Sequence, residues 1–344
     1  MSRGRLLITG ATGMVGGLVT QRALEAGYTV RAMVRASSNR DSLNDLGVEQ
    51  VEADLSDPES LPPAFEGVDY VLNTAAHVGD WGPAEKFRAI NVVALEHMVT
   101  ACRNLGQLKR WVQVSSLGVY AAIHHHGTDE TTPPDLSGLD GYTQTKAEAE
   151  IVLNRAIDQH DFPAVIVRPG FIYGPGDRHV VPRIIERLSD GQMKLIGDGK
   201  KMLNNTYAGN LVDGIMLALE KDEAVGETFN IRDERLVSRE EFVGTIAKYM
   251  DLPMPKKVPE WLARSAVGFI EGFARWRGAT QAPLLTNARI KFLALNLDFS
   301  IAKAKEKLGY APQTDFRDGM KVALDWASSQ GLINPTGSSD KKAG

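Results

Sequence analysis

The chain has 344 residues, of which 43% are hydrophobic and 24% charged, with a formal net charge of -4 and a single cysteine. That length holds two domains, or one large α/β domain with a smaller lobe, and the composition is that of a globular protein. The acidic balance argues against a nucleic-acid binder, and the lone Cys102 forms no internal disulfide, which suits a reducing, cytoplasmic setting.

No uncharged stretch reaches about 18 residues, so no membrane-spanning helix is expected. Residues Met1 to Arg5 run straight into an apolar strand, without a leader of signal-peptide length. Leu6 to Ile8 read as a buried parallel strand that empties into Thr9-Gly10-Ala11-Thr12-Gly13-Met14-Val15-Gly16. A strand, three close glycines and a helix let backbone N–H groups approach a pyrophosphate at the helix N-terminus. Gly10, Thr12, Gly13, Met14, Val15 and Gly16 are therefore cofactor candidates, although three glycines in a turn also serve packing alone.

The next strand, Thr29 to Val34, ends at Arg35. No Asp or Glu stands between Glu25 and Asp41 to hold a free ribose 2′-hydroxyl, so Arg35, Ser37 and Arg40 favour NADP(H) over NAD(H). Val48 to Ala53 reads as a third strand, closed by Asp54 and Leu55, with Asp54 facing an adenine amino group or capping the helix near Pro58. Asp69 to Asn73 is a fourth, and the small residues of Thr74-Ala75-Ala76 let a cofactor lie close to backbone. On the helix running to Leu105, Asn91 reads as a buried amide satisfying a strand end, with a water relay as the alternative, and Cys102 reads as core.

Trp111 to Val114 is the fifth strand and ends at Ser115-Ser116, where open parallel sheets bind ligands. The following loop carries His124, His125 and His126; adjacent histidines without a thiolate lack metal-ligand spacing, so they read as solvated or as an active-site rim, and no metal is expected. Tyr142 and Lys146 stand four apart at the start of an amphipathic helix and project from one face. An ammonium beside a phenol favours the phenolate and pulls a pKa of about 10 toward neutrality, which makes Tyr142 a proton donor or acceptor.

Val165 to Val167 is the sixth strand, leading to Arg168-Pro169 and Tyr173-Gly174-Pro175. Residues 209–219 and 227–231 read as a return to the main sheet, and 181–188, 238–250, 302–308 and 315–329 as helices, with a Ser238 to Glu241 capping box. Leu262, Ala266, Phe269, Ile270, Phe273 and Trp276 recur at helical spacing, which predicts a core-packing helix; a lid over an apolar substrate and a weak membrane-surface contact are the alternatives. The expected division is a dinucleotide-binding domain of residues 1–175 and 207–235, a substrate lobe of 176–206 and 236–330, and a disordered tail of 331–344.

Gly10, Gly13 and Gly16, Asp54-Leu55, Asn73 to Ala76, Asn91, Ser115-Ser116, Tyr142 with Lys146, and Arg168-Pro169 with Tyr173 to Pro175 together resemble the extended short-chain dehydrogenase/reductase family. The resemblance runs from about residue 4 to about residue 330. It implies an α/β fold, a Rossmann-type doubly wound parallel sheet with a smaller, mostly helical C-terminal lobe. In that fold Ser116 would orient a carbonyl or hydroxyl, Tyr142 exchange a proton, and Lys146 bind the nicotinamide ribose; Ser115 is the less favoured serine. Thr74, Ala75, Ala76, Asn91 and Pro169 complete the implied cofactor contacts.

Departures from the family pattern narrow the branch. Phe171 stands where sugar-nucleotide members carry Asn, Leu203 to Asn210 replaces their Arg-Asp-Phe segment, and Leu117-Gly118 replaces the Asp-Glu of dehydratases. A site lined by Phe171 and by Phe269 or Trp276 suits an apolar substrate. Residues 285–290 and 298–312 look like the tail of the 3β-hydroxysteroid dehydrogenase-like branch, and the basic stretch after the second strand like that of dihydroflavonol-reductase relatives. The expected activity is an NADP(H)-dependent interconversion of ketone and secondary alcohol on a small hydrophobic substrate, sterol-like or a long-chain 3-oxo/3-hydroxy acid. A sugar-nucleotide epimerase with transient NAD redox is the alternative that Phe171 and Arg35 oppose; a non-catalytic dinucleotide sensor is opposed by the Tyr/Lys pair. A homodimer through helices flanking the sheet is an expectation from the family alone.

Overall fold

Seven parallel strands frame the molecule, and the inner ones are buried on both faces, as they must be where helices cover a sheet from either side, whereas the edge strand Glu49–Glu52 is polar and half exposed. The structure is a computed structural model and describes residues 2–138, 140–277 and 286–334. The strands are β1 (Arg5–Thr9), β2 (Thr29–Val34), β3 (Glu49–Glu52), β4 (Tyr70–Asn73), β5 (Arg110–Val114), β6 (Ala164–Pro169) and β7 (Thr228–Ile231). Their order is β7-β6-β5-β4-β1-β2-β3. The order reverses between β1 and β4, and such a switch point opens a crevice at the carboxyl ends of the strands.

The two-residue period of the strand sorts side chains to the two faces. Leu6 and Ile8 of β1 pack with Val19 and Ala23 of α1 (Met14–Glu25) and with Leu211 and Ile215 of a helix at Ala208–Glu220. Leu7 points the other way, into a cluster with Leu95 and Met98 of α2 (Ala94–Leu105) and Ala149 and Leu153 of α3 (Gly141–His160). Cys102 lies in this second cluster, 4% exposed, and burial raises its thiol pKa, so it is a core residue.

A second core joins the segments beyond β6. Tyr173, Phe242 and Phe316 meet at ring-centroid separations of 5.3 to 5.7 Å, uniting the strand Phe171–Tyr173 with helices Arg239–Tyr249 and Phe316–Ser329. Short two-stranded pairs, which periodicity does not reveal, stitch this region together: Lys194–Ile196 with Lys256–Val258, and His125–Thr128 with Leu297–Phe299. The latter pair corrects the reading of the histidines. His125 is 2% exposed, its ring hydrogen-bonds Thr128 and the Ala121 carbonyl, and it packs on Phe299. Among the described residues no group of three ligand-type side chains is placed to hold a metal ion.

Two further expectations change. The helix Glu260–Trp276 forms, but it buries Ala263 and Val267 rather than the predicted stripe. Phe269 is 84% exposed and Trp276 81%, so neither packs in a core. Of the predicted tail, residues 331–334 are folded, with Ile333 buried in the second core, whereas 335–344 lie outside the described residues, as does Leu285. No described helix is long and apolar enough to cross a membrane.

Candidate active site

The glycine turn after β1 is built for close approach. Gly10 has φ of 69°, and a Cβ there would stand 2.7 Å from Thr74 Oγ1. A Cβ on Gly16 would stand 2.3 Å from the Gly10 carbonyl oxygen, so the third glycine lets α1 press against the turn. Gly13 precedes α1 without a side-chain cap, which leaves first-turn N–H groups of Met14 and Val15 free of protein side chains. Uncapped N–H groups on a crowded, glycine-rich turn fit a dinucleotide pyrophosphate. Thr12 is exposed at the mouth of the turn, while Thr74 and Ala75 are tied to Thr9 and Ala76 follows them half-buried.

At the end of β2 the two arginines part company. Arg35 is exposed and makes no side-chain hydrogen bond or ion pair among the described residues, beside an exposed Ser37. Arg40 instead donates to Glu52 at 2.7 Å and to the Arg35 carbonyl, so it is already engaged by the end of β3. Sequence spacing hid this, because Glu52 ends β3, beyond the helix Asp41–Asp45 that Arg40 precedes. Asp54 accepts from the Ser56 N–H and hydroxyl, which hold its carboxyl below the usual range, and the helical turn after it is capped by Asp57. Leu55 is half-buried beside it.

Asn91 sits in a π-helical turn, Ala89–Val93, and is 6% exposed. Its amide accepts from the His77 N–H at 2.7 Å and donates to the His77 carbonyl and Thr145, so it ties the segment beyond β4 to the first turns of α3. Wide turns of this kind re-aim a side chain out of the regular ladder.

Asp140 caps α3 by accepting from the Thr143 N–H at 2.8 Å, which fixes where Tyr142 and Lys146 emerge. Lys146 is 4% exposed, and its Nζ lies 5.9 Å from the Tyr142 ring centroid while donating to the Val114 carbonyl at 2.7 Å. Burial drops the Lys146 pKa to about 8, with the Glu150 charge opposing. Burial also pushes the Tyr142 phenol up to about 12, against a hydrogen bond from Ser116 that favours the phenolate. The expected lowering of the phenol is thus outweighed, because both groups lose water while the ammonium spends itself on a backbone carbonyl.

Ser116, half-buried, accepts from the Gly118 N–H at 3.0 Å. Ser115 faces inward, 3% exposed, and donates to Glu150 at 2.5 Å. Ser116, Tyr142 and Lys146 therefore converge at the carboxyl end of β5, and Ser115 does not join them. Pro169, buried at the end of β6, pairs with Ile231 of β7.

An apolar cavity of about 70 Å³ opens among Phe171, Ile184, Leu203, Phe242, Phe292 and their neighbours. Ser116, Tyr142 and Lys146 do not line it, but its Phe292 lies close to them: a Cβ on Gly118 would stand 3.9 Å from the Phe292 ring and 3.1 Å from Ser116 Oγ. Phe269 is not among the cavity's residues and points to solvent instead. Two cavity residues were not foreseen. Arg239 is 5% exposed and donates to the carbonyls of Phe292, Lys201, Met202 and Leu295, with no ion-pair partner among the described residues. Desolvation lowers it to about 10. Phe292 and Arg239 lie far from the recognisable motifs, and only the topology of the second core brings them here.

Comparison with known proteins identifies the family. Over 91% of the chain and 84% of the relative, the sequence is 30% identical to a 2-alkyl-3-oxoalkanoate reductase of Shewanella oneidensis. It is 31% identical to a 3 beta-hydroxysteroid dehydrogenase/Delta 5-->4-isomerase of Mycobacterium tuberculosis, over 90% of this chain and 86% of that protein. The crystal structure of gox2253 superposes with a TM-score of 0.82 at 28% identity, covering 96% of this chain and all of the other. A UDP-glucuronic acid 4-epimerase of Bacillus cereus solved with NAD, at 20% identity and a TM-score of 0.74 over 95% of this chain and 99% of that one, shares the fold. Residues 6–231 match the NAD dependent epimerase/dehydratase family, and the chain belongs to it, as an extended short-chain dehydrogenase/reductase, an oxidoreductase of hydroxyl and keto groups.

Proposed function

We propose that the protein is an NADP(H)-dependent oxidoreductase that interconverts a ketone and a secondary alcohol on a hydrophobic substrate bearing a carboxylate, of the 3-oxo/3-hydroxy acid class. The observation that carries this reading is the proximity of Ser116 and Gly118 to Phe292, which sets the convergent polar groups beside an apolar cavity. Arg239, a buried cation in that cavity wall without a carboxylate contact, supports the acid. The remainder of the wall, apolar except for Lys194, opposes a nucleotide-sugar.

A bound dinucleotide would supply the hydride chemistry at the substrate's carbonyl carbon. Gly10, Gly13 and the first-turn N–H groups of α1 would hold its pyrophosphate, and Arg35 the 2′-phosphate. Ser116 orients the substrate oxygen by hydrogen bonding. In reduction Tyr142 donates its proton to that oxygen as the C=O double bond becomes a C–O single bond, which completes the alcohol, and the phenolate left behind is stabilised by the nearby Lys146 ammonium and the Ser116 hydroxyl. The phenolate is then reprotonated from solvent.

Oxidation of NADPH in the presence of 2-alkyl-3-oxo acids, followed by absorbance, tests the proposal. Tyr142→Phe is expected to lose about 10²- to 10⁴-fold in turnover while keeping its affinity for cofactor. Undiminished turnover by that variant would end the reading.

A further inference from the structure

The helix at Glu260–Trp276 has two faces with opposite assignments. Its inner face, Ala263 and Val267, packs with Ile196, Ile290 and Leu293. Ile196 and Leu293 also line the apolar cavity, so the helix forms the outer layer of its wall. Its outer face carries Trp261, Leu262, Phe269, Phe273 and Trp276, exposed by 69%, 48%, 84%, 55% and 81%. Nothing among the described residues covers these rings. Leu262, Phe269, Phe273 and Trp276 fall at i, i+7, i+11 and i+14, on a single stripe.

We propose that this helix docks on an anionic lipid surface, lying in the headgroup region, and that it passes a lipophilic substrate from the bilayer toward the cavity behind it. The charges beside the stripe select this occupant over a second copy of the chain. Residues 256–277 contain five basic residues against two acidic ones. Lys256 and Lys257 precede the helix on a short strand, Lys257 paired with Glu240 at 2.8 Å, and Arg264 pairs with Glu260 on the helix itself; Arg277 follows it, its guanidinium 5.1 Å from the Phe273 ring centroid. Protein interfaces are depleted in lysine, whereas tryptophans at the ends of an apolar stripe with flanking cations suit a headgroup layer. The helix does not meet the length and apolarity of a membrane span, so it would lie on the surface and not cross. The delivery step rests on the hydrophobic-substrate reading above; the docking step does not.

The test is sedimentation of the full chain with phosphatidylcholine vesicles, with and without phosphatidylglycerol, in the absence of cofactor and substrate. Sedimentation with the anionic vesicles, weakened by salt and accompanied by a blue shift of tryptophan emission, is expected. Trp261→Ser/Phe273→Ser should weaken the binding at least about tenfold. Thermal melting shows whether that variant is folded. Lys256→Glu/Lys257→Glu, which leaves the rings in place, should remove the preference for anionic lipid. Absence of sedimentation with either vesicle overturns the proposal, as does equal binding by both variants. A dimer in lipid-free solution that the ring variant dissociates would assign the face to a second copy instead. Because no turnover is measured, failure here and failure of the catalytic reading are distinguishable.

Discussion

Glu150 and Arg168, both buried, form a two-pronged ion pair directly behind the serines. Arg168 donates to the two carboxylate oxygens at 2.9 and 2.5 Å, and the Ser115 hydroxyl donates to the same carboxylate. Arg168 also donates to the Tyr120 hydroxyl at 2.7 Å, which in turn donates to Asn230. The pair therefore holds α3 to β6 and β7, and it explains why Ser115 is a structural residue while Ser116 remains available.

Removing one half of this pair leaves the other charge buried without a partner. Glu150→Gln should cost about 3–5 kcal/mol of stability. Glu150→Leu combined with Arg168→Met should cost less than either single change, because it removes both charges. Urea unfolding of the three variants checks this; additive losses would show that the residues do not act as a pair.

Lys146 has a folded pKa of about 8, below its ordinary value of 10.5. Between those two values the unfolded chain holds the proton more tightly, so stability rises as pH rises through this window. Below about pH 8 both states are protonated and the penalty for the buried ammonium is fully present. Relative to Lys146→Met, the wild-type chain should gain stability from pH 8 to 10.5 with a slope of up to about 1.4 kcal/mol per pH unit. The comparison with the variant matters because Lys291, also lowered to about 8 by burial, contributes the same trend. A flat difference between the two proteins across that window would refute the assignment.

The sheet was readable because buried strands leave a local trace: Leu6 to Ile8 is an uninterrupted apolar run, and Val30 to Val34 is apolar apart from Arg31, each between turn residues. Tyr142 and Lys146 were readable because helix geometry alone makes them neighbours. What escaped depends on contacts remote in sequence. Glu52 claims Arg40 from the end of β3, and His125 is buried by Phe299. Asp233, 1% exposed, gathers Tyr173, Asn205 and Asn210 into one buried cluster that no motif announces. The outward stripe at Phe269 escaped for a different reason, since periodicity marks an apolar face without saying whether protein covers it.

The separation of Arg35 from Arg40 gives a prediction for the cofactor. Arg35→Ala should weaken NADPH binding by about tenfold or more, the worth of a charged hydrogen bond, and leave NADH binding unchanged. Arg40→Ala should alter stability by no more than about 1 kcal/mol, as for an exposed ion pair, with little effect on cofactor preference. Fluorescence titration with both cofactors decides the matter, and equal losses for NADPH and NADH would remove Arg35 from the phosphate site.

Two adjacent glycines of α1 should respond in opposite ways to alanine. At Gly16 the new Cβ meets the Gly10 carbonyl oxygen at 2.3 Å, which is backbone and cannot step aside, so Gly16→Ala should cost about 1–3 kcal/mol or more and impair cofactor binding. At Gly17 the nearest neighbour is 3.4 Å away, an ordinary contact, and Gly17→Ala should gain up to about 1 kcal/mol from helix propensity. Thermal melting of both variants is the measurement. Two destabilised proteins would mean that Gly17, like Gly16, has no room for a side chain.

Substrate chemistry can be tested without disturbing Arg239, whose four carbonyl bonds make it a poor residue to mutate. A guanidinium buried in an apolar wall favours a carboxylate over a neutral group of the same shape, because a hydrogen bond to an ion in low dielectric is worth about 1.5–3 kcal/mol. A 3-oxo acid should therefore be turned over with kcat/KM about ten- to a hundredfold above its methyl ester. Val243, 5% exposed, lines the same cavity, so Val243→Phe should raise KM for longer chains while leaving cofactor affinity as it was. Equal use of acid and ester would show that Arg239 only ties the Lys201–Met202 and Phe292–Leu295 segments together, and that the cavity reads shape rather than charge.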